Sequence, residues 1–157
     1  MAEPTLRKGR ISFFLPPGHD KAHDTKVTVN VGVKSDNQAD LEIARKEGFA
    51  GTEGWKDDGQ HTYTYELDVV SVGLTQIDGD VKTSIAIQPD KNHPVKFDYK
   101  LTLYFDDGDP DTAEIKLIQT RSGILLDENH RTFDSWRIFT RFESSVHAGY
   151  SVGECDW

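Results

Sequence analysis

The segment Ala39-Asp40-Leu41-Glu42-Ile43-Ala44-Arg45-Lys46-Glu47, closed by Gly48, can be read in two ways. Its composition favours a helix, with Gly48 as the C-cap. Its pattern favours a strand, because Ala39, Leu41 and Ile43 alternate with Asp40 and Glu42. The alternation leads us to take residues 39–46 as a strand, with the helix as the alternative. The choice reaches far along the chain. In an antiparallel fold each strand carries the chain to the opposite end, so one strand more or less sends every later loop to the other pole.

Outward from this segment the same period-two signal repeats. Val27, Val29, Val31 and Val33 alternate with Thr28, Asn30 and Gly32. Tyr63, Tyr65, Leu67 and Val69 alternate with Thr64, Glu66 and Asp68. Val81, Ile85 and Ile87 share one side, with Lys82 and Ser84 opposite. Phe97, Tyr99, Leu101, Leu103 and Phe105 oppose Asp98, Lys100, Thr102 and Tyr104. Ala113, Ile115, Leu117 and Gln119 oppose Glu114, Lys116 and Ile118. Turn signals punctuate these runs, among them Pro16-Pro17-Gly18, Asp58-Gly59, Asp78-Gly79 and Asp107-Gly108. The expected fold is all-β, a single antiparallel β-sandwich of about eight strands at 10–15, 26–33, 39–46, 61–70, 81–88, 96–105, 112–119 and 136–142. It is read as one domain over 1–157, with 1–9 and 144–157 as loose tails. Loops 16–25, 47–60 and 89–95 then share one end, and loops 34–38, 71–80 and 106–111 the other.

Composition narrows the function classes. The 157 residues carry 18 Lys+Arg against 27 Asp+Glu, a net charge of −9. That balance argues against a broad phosphate-backbone footprint, so no nucleic-acid partner is expected. No apolar run approaches the ~18 residues of a transmembrane segment. Cys155 is the single cysteine, which excludes an intrachain disulfide framework and a Cys-based zinc finger. No apolar signal core follows the charged start Met1–Arg10, which fits a cytoplasmic protein and equally a secreted one trimmed of its signal.

The first end collects Asp20, Asp24, Asp57, Asp58, Asp90 and Asn92, with Lys21 and Lys91 among them. Converging carboxylates repel one another, and a hard cation removes that penalty. Ca²⁺ suits such loops because it accepts six to eight oxygens in flexible geometry. The competing account is turn chemistry alone, through Asx hydrogen bonds. At the other end, Asp107, Asp109 and Asp111 imitate the first ligands of an EF-hand. Thr112 stands at the required glycine and Ile118 at the required glutamate, so a hairpin loop around Asp107-Gly108 is the simpler account.

The order Pro17-Gly18-His19-Asp20-Lys21-Ala22-His23-Asp24-Thr25, the valine strand, Trp55-Lys56-Asp57-Asp58-Gly59, then Pro89-Asp90-Lys91-Asn92 before Phe97 resembles the C2/PLAT-type β-sandwiches over about residues 11–120. The resemblance implies eight strands, acidic loops at one end that often hold Ca²⁺, and non-catalytic binding to a lipid surface, a carbohydrate or a protein partner.

Trp55, in the glycine-rich loop, could bind such a ligand by stacking on a sugar or entering a membrane interface, or could cap the open end of the fold. Trp136 reads as core. His19 and His23 would share a helical face, but they lead straight into a strand. No nucleophile elbow or phosphate loop occurs. The expected function is therefore a binding module with Ca²⁺-dependent acidic loops. The alternatives are a metal-free interaction or self-assembly domain, and a small hydrolase using a carboxylate pair such as Asp57 with Asp90.

Overall fold

The computed structural model describes residues 3–17, 25–33, 41–51, 54–55, 61–77, 81–88, 94–109, 114–127, 130–136 and 140–144. Its strands are β1 (Thr5–Phe14), β2 (Lys26–Val33), β3 (Leu41–Phe49), β4 (Thr62–Val69), β5 (Val81–Gln88), β6 (Val95–Asp106), β7 (Glu114–Leu126), β8 (Thr132–Trp136) and β9 (Thr140–Ser144). A one-turn helix, α1 (Leu74–Ile77), precedes β5. Among the described residues no helix is long and apolar enough to cross a membrane.

All pairings between the strands are antiparallel, in the order β8-β5-β2-β3-β4-β1-β6-β7-β9. β8 and β9 are near neighbours in sequence and form the two ends of that order. Counted as one interrupted strand, they give eight strands in a single sheet, nearly closed into a barrel with one unsealed seam. The expected all-β antiparallel class is right, and the two-sheet sandwich is replaced by one continuous sheet. β4 is the physical reason. Its residues 62–67 pair with β1, while Asp68 and Val69 pair with Arg45 and Ala44 of β3. That short link joins what would otherwise be separate layers.

Residues 41–46 are strand, as the alternation predicts, but β3 is not a simple one. The register moves from Val31↔Ala44 to Gly32↔Glu42, so Ile43 is an extra residue on β3. Both Ile43 and Ala44 are consequently buried, and Leu41, expected on the inner side, is 46% exposed. A second irregularity lies between Val27↔Phe49 and Val29↔Lys46. Gly48 sits in it with a φ of 57° and donates its N–H to Thr28 Oγ1 at 3.0 Å. The glycine that could have capped a helix instead supplies the left-handed residue of a β-bulge.

The register also fixes the poles. Phe14 lies opposite Thr62 and Asp98, while Lys26 lies opposite Gln88 and Val27 opposite Phe49. The flanks of the β1–β2, β3–β4 and β5–β6 loops therefore gather at one end, as strand parity requires. The interior is apolar: Phe97, Leu101, Leu103 and Phe105 from β6 pack with Ile11 and Phe13 of β1 and the inner valines of β2. The largest departures at strand ends are three, beyond the extension of β3 to Phe49. β1 begins at Thr5, so residues 5–9 are strand rather than loose tail, and Leu6 donates its N–H to the Val72 carbonyl. β7 runs on to Leu126. The expected strand 136–142 is replaced by β8 and β9.

Candidate functional site

At the loop-bearing pole the chain builds an aromatic floor. Phe13 is the penultimate residue of β1, Phe49 ends β3, and Tyr63 and Tyr65 lie in the first half of β4. The Trp55 indole lies 4.6 Å from the Phe13 ring and 5.8 Å from Tyr63, stacked on both. Its Nε1 donates to Tyr65 Oη at 2.8 Å. Phe97 meets Phe13 edge-on at 5.4 Å. Trp55 is 1% exposed, so of the two roles weighed for it the arrangement displays the capping one. Burying the ring satisfies both parts of tryptophan, since its apolar body is covered and its N–H is bonded.

Asp20, Asp24, Asp57, Asp58, Asp90 and Asn92 lie outside the described residues, as do His19, His23 and Cys155. The carboxylate pair Asp57 and Asp90 lies there too. Among the described residues no group of three or more His, Cys, Asp or Glu could hold a metal ion. The Asp106–Asp109 turn, at the opposite pole, is held by local bonds. Gly108 N–H donates to Asp106 Oδ1 at 3.0 Å, and Asp109 N–H to Asp107 Oδ1 at 2.9 Å. Gly108 has a φ of 84°, and β6 and β7 flank it as a hairpin. Turn chemistry is what these aspartates do here.

The second feature is the seam. β9 pairs with residues 114–118 of β7, from Glu114↔Ser144 to Ile118↔Thr140. Among the described residues no ladder joins β7 to β8 from Gln119 onward, although beyond the end of β7 Asp127 donates its N–H to the His130 carbonyl at 2.9 Å. β8 instead leaves to pair with β5. Polar side chains bridge the gap. The register sets Arg121 opposite Tyr99 and Gln119 opposite Leu101, so both face the same way as the inner residues of β6. Ser135 is set opposite the buried Thr83. Tyr99 Oη donates to Gln119 Oε1 at 2.9 Å. Gln119 Nε2 and Arg121 Nε both donate to Ser135 Oγ, at 3.3 and 2.8 Å.

Burial pushes the Tyr99 phenol up to about 12, against the opposite pull of Ser135 and the Arg121 charge. The phenol therefore stays protonated at neutral pH, as its donation to Gln119 requires. Thr83 Oγ1 is buried in the same region with no hydrogen-bond partner. The sequence carries one trace of this cluster, because Gln119 falls in the inward phase of β7 among apolar residues. Arg121 and Ser135 fall outside the expected strands 112–119 and 136–142. Gly123 explains the first omission. It has a φ of 71° and donates its N–H to Asp98 Oδ1 at 2.8 Å. The bulge there shifts the pairing between Phe97↔Ile124 and Tyr99↔Arg121 and interrupts the alternation.

Comparison with family models, with curated proteins and with solved structures finds no match to this chain. The C2/PLAT-type resemblance accordingly rests on the loop residues alone.

Proposed function

We propose that this protein is a non-catalytic binding module that meets its ligand at the loop-bearing pole, with Ca²⁺ ordering the acidic loops. The observation that supports this reading is the register, which anchors the flanks of the loops carrying Asp20, Asp24, Asp57, Asp58, Asp90 and Asn92 at one end. The aromatic floor at the same end gives the strand ends that flank those loops a rigid base. A cation shared among the carboxylates would relieve their repulsion and could bridge to a phosphate or to sugar hydroxyls. A lipid surface, a carbohydrate or a protein partner fits that chemistry.

The test is thermal unfolding across a calcium titration, with magnesium as control. Calcium should raise the Tm, logarithmically once its concentration exceeds Kd, and should reach about 2.7 kcal/mol of stability at a hundredfold excess. Asp24→Ala and Asp58→Ala should each remove most of the rise. An unchanged Tm in the parent protein, or an equal rise in both variants, would remove the calcium site.

One observation favours a metal-free interaction surface as a second reading. Leu41 and Val70, at 46% and 48% exposed, flank the two-residue junction of β3 with β4. Concentration-dependent light scattering that persists in a chelator would favour self-association there.

A further inference from the structure

The seam cluster carries more hydrogen-bond donors than its acceptors can use. A guanidinium has five N–H donors. Arg121 gives Nε–H to Ser135, and among the described residues no carboxylate pairs with its remaining fork. Its side chain is half-buried, so the fork is reachable from solution. Ser135 Oγ already accepts twice, and its hydroxyl is itself hydrogen-bonded to the Tyr99 phenol. Gln119 Oε1 is taken by Tyr99, which leaves the Gln119 amide with a second N–H. Thr83 adds a hydroxyl that is 0% exposed and without a partner.

A buried hydroxyl left unpaired is destabilising, and native interiors rarely tolerate one without a reason. Thr83 lies directly opposite Ser135 in the β5–β8 ladder, so the two side chains rise side by side on the inner face. Donors of this kind suit an acceptor-rich group of negative charge.

We infer that the seam between β7 and β8 is a carboxylate-binding slot, with the Arg121 fork as its anchor and the Thr83 hydroxyl as a supporting donor. A planar carboxylate matches a planar guanidinium through two parallel bonds and offers lone pairs to a hydroxyl beside it. The slot is independent of Ca²⁺ and of the loop-bearing pole. The carboxylate can come from a small free acid or from an acidic residue on a polypeptide such as a second copy of the chain.

The experiment follows the Arg121 Nε–Hε NMR resonance while sodium acetate replaces sodium chloride at constant ionic strength and pH 7. A saturable shift is expected, with a Kd on the order of millimolar for a single charge-assisted fork. Arg121→Lys keeps the charge but loses the fork, and should weaken binding about tenfold. Thr83→Val separates binding from folding. It should raise the Tm of the ligand-free protein by removing an unpaired hydroxyl, yet weaken acetate binding about threefold to tenfold through the lost hydrogen bond. That opposite pair of effects is not what a purely structural threonine gives, and it stands even if Arg121→Lys does not fold. If the carboxylate belongs to a second copy, the resonance will move with protein concentration alone, and acetate will reverse the movement. A response to acetate no greater than to chloride, with no dependence on protein concentration, overturns the proposal. So does acetate binding that Thr83→Val leaves unchanged.

Discussion

Along β1 both neighbours are held by main-chain ladders, β4 from Thr62 to Leu67 on one side and β6 from Asp98 to Asp106 on the other. Along β7 the β6 side is held in the same way, but the far side changes character midway. β9 takes residues 114–118, and from Gln119 onward a few side-chain bonds reach towards β8. The β1 wall covers an apolar filling, whose stability comes from burial and close packing. The β7–β8 seam depends on polar groups satisfying one another inside the fold, where each loss leaves a partner unpaired. The same barrel thus contains a joint that fails by cavity formation and a joint that fails by orphaned donors.

The comparison can be broken most forcefully at the wall. Phe13→Ala removes the ring that stacks on Trp55 and meets Phe97 edge-on. It should cost about 3–5 kcal/mol in denaturant unfolding, and a loss below ~1 kcal/mol would show that the aromatic floor does not hold the pole together. The seam answers next, to pH. The Tyr99 phenol titrates near 10 when unfolded and at about 12 when folded. Between those values the unfolded chain releases the proton first, so stability intact below pH 10 falls as pH rises through 12. The loss is roughly 2–3 kcal/mol across the window. Tyr99→Phe should flatten that part of a stability–pH curve, and an unchanged slope would remove Tyr99 as its cause.

Ser135→Ala tests the orphaned-donor account directly, because it strands the Gln119 and Arg121 N–H groups together. A loss of about 1–3 kcal/mol is expected by chemical denaturation. No loss would mean that water replaces the serine without penalty, and the contrast between wall and seam would vanish. The smallest effect is at Gly123, where an added Cβ meets nothing within 4 Å but the φ of 71° remains. Gly123→Ala should cost about 1–2 kcal/mol from backbone strain alone, and a neutral result would show that the bulge can relax.

What the sequence makes legible follows from the same contrast. β6 reads plainly because its inner side chains repeat without interruption, and β2 and β5 read plainly for the same reason. β2 and β5 have the expected bounds, 26–33 and 81–88. Where a bulge intervenes the period breaks. Ile43 and Ala44 turn inward together, and Gly123 hides the second half of β7. Sandwich and barrel differ here by Asp68 and Val69 crossing to β3, and no local pattern in Tyr63–Val69 announces that crossing. The buried polar cluster was legible only as Gln119 out of place among apolar neighbours. Its partners come together through pairings distant in sequence, Tyr99 with Arg121 and Thr83 with Ser135, which composition and periodicity do not encode.

The placement of β8 and β9 at both ends of the sheet bears on how the chain is made. While a ribosome has delivered β1 to β7 and nothing beyond, β5 and β7 each present a bare row of amides and carbonyls to the crowded cell. Bare edges of that kind recruit other nascent chains. Residues 132–136 cover the β5 edge and residues 140–144 the first part of the β7 edge, so both edges stay open to such pairing until the last strands of the sheet have docked.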